Sequence, residues 1–181
     1  MQRRNGLTVH ASFRVSADVR RELQKEAIRR KISFNSLGNR ILEKYLSFDR
    51  LVEHEHSVVI ERKVFSRILE KIAVEDLQEI GRELGQKAAK EDFEFFGIPP
   101  TLGNLITRYF EPIGAFSDRY DSNIVGDAPY LKIVLAHEYG HKWSIFLGEH
   151  SIGVVESILG AKPNIEIGED VVTIQLWTPD A

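Results

Sequence analysis

His137-Glu138-Tyr139-Gly140-His141 places two imidazoles four residues apart with a carboxylate beside the first. Inside an α-helix the two rings would share one face, one turn apart. They could then hold Zn²⁺ while Glu138 activates a metal-bound water. The chemistry on offer is metal-assisted hydrolysis, and it depends on the segment being helical. Ile133-Val134-Leu135, following Pro129, suits a buried strand at least as well. If the helix starts only near Ser144, the histidines straddle a strand end and a turn and do not converge. Lys142 also sets a cation next to the second histidine, and Leu147 stands where an extended form of the pattern needs a third histidine. Glu149, His150 and Glu156 remain as third ligands. The preferred reading is structural: His137 and Glu138 close a strand, Gly140 turns, and Trp143 and Ser144 introduce a helix.

Other residues invite chemistry less strongly. His54-Glu55-His56 resembles a metal hook but reads as solvated linker. Phe93, Phe95, Phe96, Tyr109, Phe110 and Phe116 form an aromatic set that reads as core, with a pocket for a small apolar molecule as the alternative. Cysteine is absent, which excludes disulfides, thiolate metal sites and thiol catalysis. No cofactor or metal is expected. At the other end of the chain, His10, Ser12 and Arg14 alternate with Ala11, Phe13 and Val15, the two-residue period of a strand with one polar face.

That candidate strand runs directly into two short amphipathic helices. Ser16 caps the first, which carries Val19, Leu23 and Ala27 on one stripe. After a break at Lys31-Ile32, Ser33 caps the second, with Leu37, Ile41, Leu42 and Tyr45 facing inward and Gly38 allowing a close backbone approach. No element is large enough to bury its own apolar face, so a second copy is the expected partner. In order and spacing, His10 to Leu46 resembles the ribbon-helix-helix (MetJ/Arc-type) family of DNA-binding regulators, over roughly the first quarter of the chain. The resemblance implies a dimer whose paired strands enter the major groove of double-stranded DNA. His10, Ser12 and Arg14 would then read base edges. Phe13 and Val15 would lie under the ribbon. Ser33, Phe34 and Asn35 at the start of the second helix would hold a phosphate, with Arg3, Arg4 and Lys31 alongside.

Charge divides the chain in the same place. Residues 1–50 hold 12 Lys and Arg against 5 Asp and Glu, a net +7, whereas residues 51–181 carry −10. A basic module on an acidic body is the footprint of a nucleic-acid binder whose remainder faces something else. The boundary is placed near Leu51, giving domains 1–51 and 52–181. No apolar run approaches the ~20 residues of a membrane span, and no apolar stretch follows the basic start as in a signal peptide, so a cytoplasmic protein is expected.

In the acidic part, a short strand is expected at Val58-Val59-Ile60 and helices through Val64–Ile72 and Leu77–Ala88, the latter showing Leu77, Ile80, Leu84 and Ala88 inward. A further helix capped by Thr101 ends at Pro112, and Gly114–Pro129 reads as loop. A strand at Leu131–Ala136, a helix at Ser144–Leu159 and strands at Asn164–Ile167 and Val171–Trp177 complete an α+β fold. The functional expectation is a dimeric, sequence-specific transcriptional regulator without a chemical step, its acidic domain sensing a small-molecule effector or fixing oligomer geometry. Two alternatives stay open: a DNA-tethered zinc metallopeptidase using His137, Glu138 and His141, and an antitoxin. Nickel-responsive regulators join similar parts, but their sites include a cysteine.

Overall fold

The computed structural model describes residues 9–127 and 129–177. The chain divides into two compact units, Met1–Glu43 and Lys44–Ala181.

In the first unit, α1 (Ala17–Arg29) begins where Ser16 Oγ accepts from Val19 N–H at 3.3 Å. It ends in a two-bond reversal: Ile32 N–H donates to Ala27 O and Lys31 N–H to Ile28 O, both at 3.0 Å. That closure puts Lys31 in the left-handed region at φ 55°, where glycine is usual. α2 (Phe34–Lys44) starts at Ser33, whose Oγ accepts from Ser36 N–H at 3.0 Å. Residues 9–16 precede α1 without strand pairing. A ladder needs a second strand, and the described part of this unit supplies none.

The compact units divide between Glu43 and Lys44, eight residues before the expected boundary near Leu51. α2 is followed by a π-helical turn (Tyr45–Asp49) and α3 (Arg50–His54), and Phe48 already packs on the core of the second unit. The expected strand at Val58–Ile60 does not form: these residues are exposed and have no sheet partner. α4 (Arg62–Leu69) and α5 (Val74–Phe95) follow. Then come α6 (Leu102–Leu105), a π-helical turn (Ile106–Phe110) and α7 (Glu111–Phe116). Pro112 does not end the helix as expected. It sits in the first turn of α7, which runs on directly from the π-helical turn, and a proline is best tolerated in a first turn.

The sheet is antiparallel in the order β1-β2-β4-β3, with β1 Asp121–Asp127, β2 Tyr130–Ala136, β3 Asn164–Ile167 and β4 Val171–Trp177. Leu131, Ile133 and Leu135 of β2 face Leu176, Ile174 and Val172 of β4, and all six are buried. β1 replaces an expected loop. As an edge strand it needs backbone pairing on one side only, so Asp, Ser, Asn and Gly are tolerated there.

α8 (His141–Leu159) connects β2 to β3 and is buried on most sides. Gly148 lies against Ile165 and Ile167 of β3. On the opposite side α8 meets α5, where Leu77, Gly81, Gly85, Ala89 and Phe93 form the buried stripe. This corrects the expected stripe by one position, for Ile80 and Leu84 are more than two-fifths exposed. The reason is close approach: a Cβ on Gly81 would stand 2.7 Å from Phe146 O, and one on Gly153 2.6 Å from Arg82 O. Among the described residues no helix is long and apolar enough to cross a membrane.

Candidate functional site

His10, Ser12 and Arg14 are exposed in the unpaired segment before α1. Phe13, at 71% exposure, and Val15, at 50%, have no apolar cover. Arg3 and Arg4 lie outside the described residues. Ser33, Phe34 and Asn35 form the first turn of α2 as anticipated, with Lys31 exposed just before it. Arg29 and Arg30 both bind Glu26, whose pKa their hydrogen bonds lower to about 2. Gly38 has no atom within 4 Å of where a Cβ would sit, so no close approach forms there within the chain.

The His137–His141 segment is a strand-to-helix turn. β2 ends at Ala136, Gly140 at φ 80° precedes α8, and only His141 is helical. His137 is held by three hydrogen bonds. Its backbone N–H donates to Asp170 O at 2.9 Å, Tyr139 N–H donates to Nδ1 at 3.3 Å, and Nε2 lies 2.9 Å from Ser144 Oγ. Ser144 Oγ donates in turn to Glu169 O at 3.0 Å. Nδ1 therefore accepts and Nε2–H donates, the neutral tautomer. Burial lowers the pKa of this ring against the opposing pull of Asp170.

The neighbours complete a clasp. His141 Nδ1 is 3.1 Å from Gly168 O, and Gly140 N–H donates to Asp170 Oδ1 at 2.8 Å. Lys142 Nζ donates to Ile72 O and Glu70 O beyond the end of α4, and Trp143 Nε1–H donates to Arg119 O at 3.0 Å. Glu138 points the other way and pairs with Arg62, which also holds Asp118 at 2.7 Å. The two imidazoles thus bond to separate backbone segments, and both ring nitrogens of His137 are committed. Among the described residues, no cluster of three or more His, Asp or Glu side chains is placed to hold a metal ion.

A more capable site lies in the helical part of the second unit. A cavity of about 280 Å³ opens among the 45–49 turn, α3, the end of α5 and Tyr109. Phe93, Phe96 and Tyr109, three of the six aromatics singled out above, are in its wall with Leu51 and Ile98. Asp92 supplies the unusual group. It is 3% exposed, and its Oδ2 has no hydrogen-bond partner. Burial, reinforced by the charges of Glu55 and Glu91, pushes its pKa up to about 7. His54 Nε2 stands 3.9 Å from Asp92 Oδ1, and its ring stacks on Phe95 at 3.9 Å. α3 ends at His54, Glu55 caps it and His56 follows at φ 51°, so His54-Glu55-His56 is a helix terminus rather than a linker.

Behind the cavity wall, Tyr109 Oη is 3.3 Å from His150 Nε2. Burial and then Arg119 lower the His150 pKa to about 4, while burial raises that of Tyr109. A protonated phenol donating to a neutral imidazole fits both shifts. At the mouth, the Arg50 guanidinium lies 5.0 Å above the Phe96 ring and its Nε donates to Leu46 O.

No sequence motif marks Asp92. Its one sequence signal is its place four residues after Ala88, on the stripe expected to face inward, where a carboxylate is out of character. Compared with family models, curated proteins and solved structures, the chain matches none.

Proposed function

We propose that this chain is a dimeric, sequence-specific DNA-binding transcriptional regulator of the cytoplasm, whose larger unit senses an effector. The observation that carries the reading is the imbalance of the first unit. Among its described residues only Ala27 and Leu37 are buried, while Phe13, Val15, Val19, Ile28, Ile41 and Leu42 are exposed. Stripes of this kind on a unit this small are expected to be covered, and a second copy would cover them by pairing residues 10–15 into a two-stranded ribbon. His10, Ser12 and Arg14 would then point away from that core toward base edges, and the capped start of α2 would meet a phosphate.

Net +7 on residues 1–50 favours the same surface. The experiment is selection of bound fragments from random duplex DNA by the full chain, followed by anisotropy titration at several salt concentrations. A preferred sequence, bound by a dimer with a steep salt dependence, is expected. Binding with no sequence preference, or by a monomer, would refute the proposal.

A further inference from the structure

We propose that the Asp92 cavity binds a small arylalkyl amine, its ammonium group at Asp92 Oδ2 and its ring against Phe93, Phe96 and Tyr109. The inference rests on the reading of the larger unit as a sensor and adds the chemistry of what it senses. Three observations converge on it. Asp92 Oδ2 is buried without a hydrogen-bond partner and belongs to a residue lining the cavity. Buried acceptors in folded proteins are satisfied in the great majority of cases, so an unpartnered one beside an opening calls for a donor from outside.

The second observation is charge. Glu55 and Glu91 act on Asp92 in the same direction and Arg119 opposes them, while Arg50 and Arg108 also line the cavity. A cation seated at Asp92 Oδ2 gains an ion pair there, whereas an anion would be drawn to Arg50 and Arg108. Arg50 keeps its charge while its guanidinium lies over Phe96 and its Nε donates to Leu46 O.

The third is shape. A cavity of about 150 Å³ admits benzene, and this one, at about 280 Å³, has room for one ring with a short chain. Its aromatic wall suits that ring, and Tyr109 connects the wall to α8 through His150. Occupancy would therefore be felt at the α5–α8 contact.

The test uses the full chain without DNA and three probes that share a phenylethyl body and differ in head group: 2-phenylethylamine, 2-phenylethanol and 3-phenylpropionate. Calorimetric titration should show the amine binding at least about tenfold more tightly than either other probe, as a charge-assisted hydrogen bond implies. Asp92→Asn should remove that preference and bring the amine to the level of the alcohol, with circular dichroism confirming an unchanged fold. Equal affinity for amine and alcohol in the unmutated chain would overturn the proposal without relying on any variant. So would preference for the carboxylate, which would move the head group to Arg108, or no binding at millimolar amine.

A parallel DNA titration separates the two readings. Amine binding that leaves DNA affinity unchanged supports the site and removes its sensing role. Intact DNA binding with no amine binding removes the site and leaves the regulator.

Discussion

Asp92 is buried and His150 half-buried with its ring turned inward on Tyr109; both resist charging, yet they oppose each other in acid. The Asp92 pKa rises from 3.8 to about 7, so its contribution to stability is full below pH 3.8 and is lost as the pH climbs to about 7. The His150 pKa falls from 6.5 to about 4, so its contribution is full above pH 6.5 and is lost as the pH drops to about 4. Between pH 4 and 6.5 the slopes partly cancel. Asp92→Asn should therefore steepen the loss of stability on acidification, by up to a few kcal/mol across that window. His150→Gln should shift the slope the opposite way. Both tryptophans, Trp143 and Trp177, belong to the second unit, so urea denaturation followed by their fluorescence reads this unit alone. Equal slopes in all three proteins would contradict the burial argument. Ser144 gives a pH-independent counterpart. It is fully buried and receives the His137 Nε2–H, so Ser144→Ala should destabilise the unit by about 1–3 kcal/mol. Glu138→Gln, at an exposed ion pair, should change stability by less than about 1 kcal/mol.

Two glycines in helices separate the effect of packing from that of propensity. At Gly85 of α5 an added methyl would collide with the backbone at His150, which cannot move without shifting α8. Gly85→Ala should cost about 1–3 kcal/mol despite the better helix propensity of alanine, seen as a lower fluorescence-monitored urea midpoint. Gly38 of α2 faces open space within the chain, so Gly38→Ala should stabilise the first unit by about 0.5–1 kcal/mol. Its readout is helix melting by far-ultraviolet circular dichroism. No gain there would mean that a second copy approaches α2 closely at this position. The same unit carries a local strain at Lys31. Glycine at that left-handed position should relieve about 1 kcal/mol, at the expense of one cation beside the proposed DNA surface.

For the molecule as a whole, association is the property that decides function. Phe13→Asp puts a carboxylate where the proposed ribbon buries a ring, so the full chain should become monomeric at micromolar concentration by light scattering. DNA affinity should fall with it. Arg14→Ala should lower affinity for the selected sequence by about 1–3 kcal/mol and leave non-specific binding nearly intact. Equal losses on both kinds of DNA would detach Arg14 from base reading. A Phe13→Asp protein that stays dimeric would place the interface elsewhere.

The boundaries of β2, α8, β3 and β4 follow closely from local patterns in the sequence. So do the capped starts of α1 and α2, because alternation, stop residues and capping hydroxyls act over a few residues. The strand-end placement of His137 also followed from local pattern, since β-branched residues and a preceding proline favour an extended run there. Three features depended on tertiary contact instead. β1 looks like a loop until β2 supplies its hydrogen bonds. The inward face of α5 is its glycines rather than Ile80 and Leu84, because the distance to α8 leaves no room for side chains. Asp92 is buried without a partner because α3, α5 and the Tyr109 turn meet around it. Sequence spacing reports which residues can share a face. How near the next element comes, and what it withholds from water, is set by the packed fold.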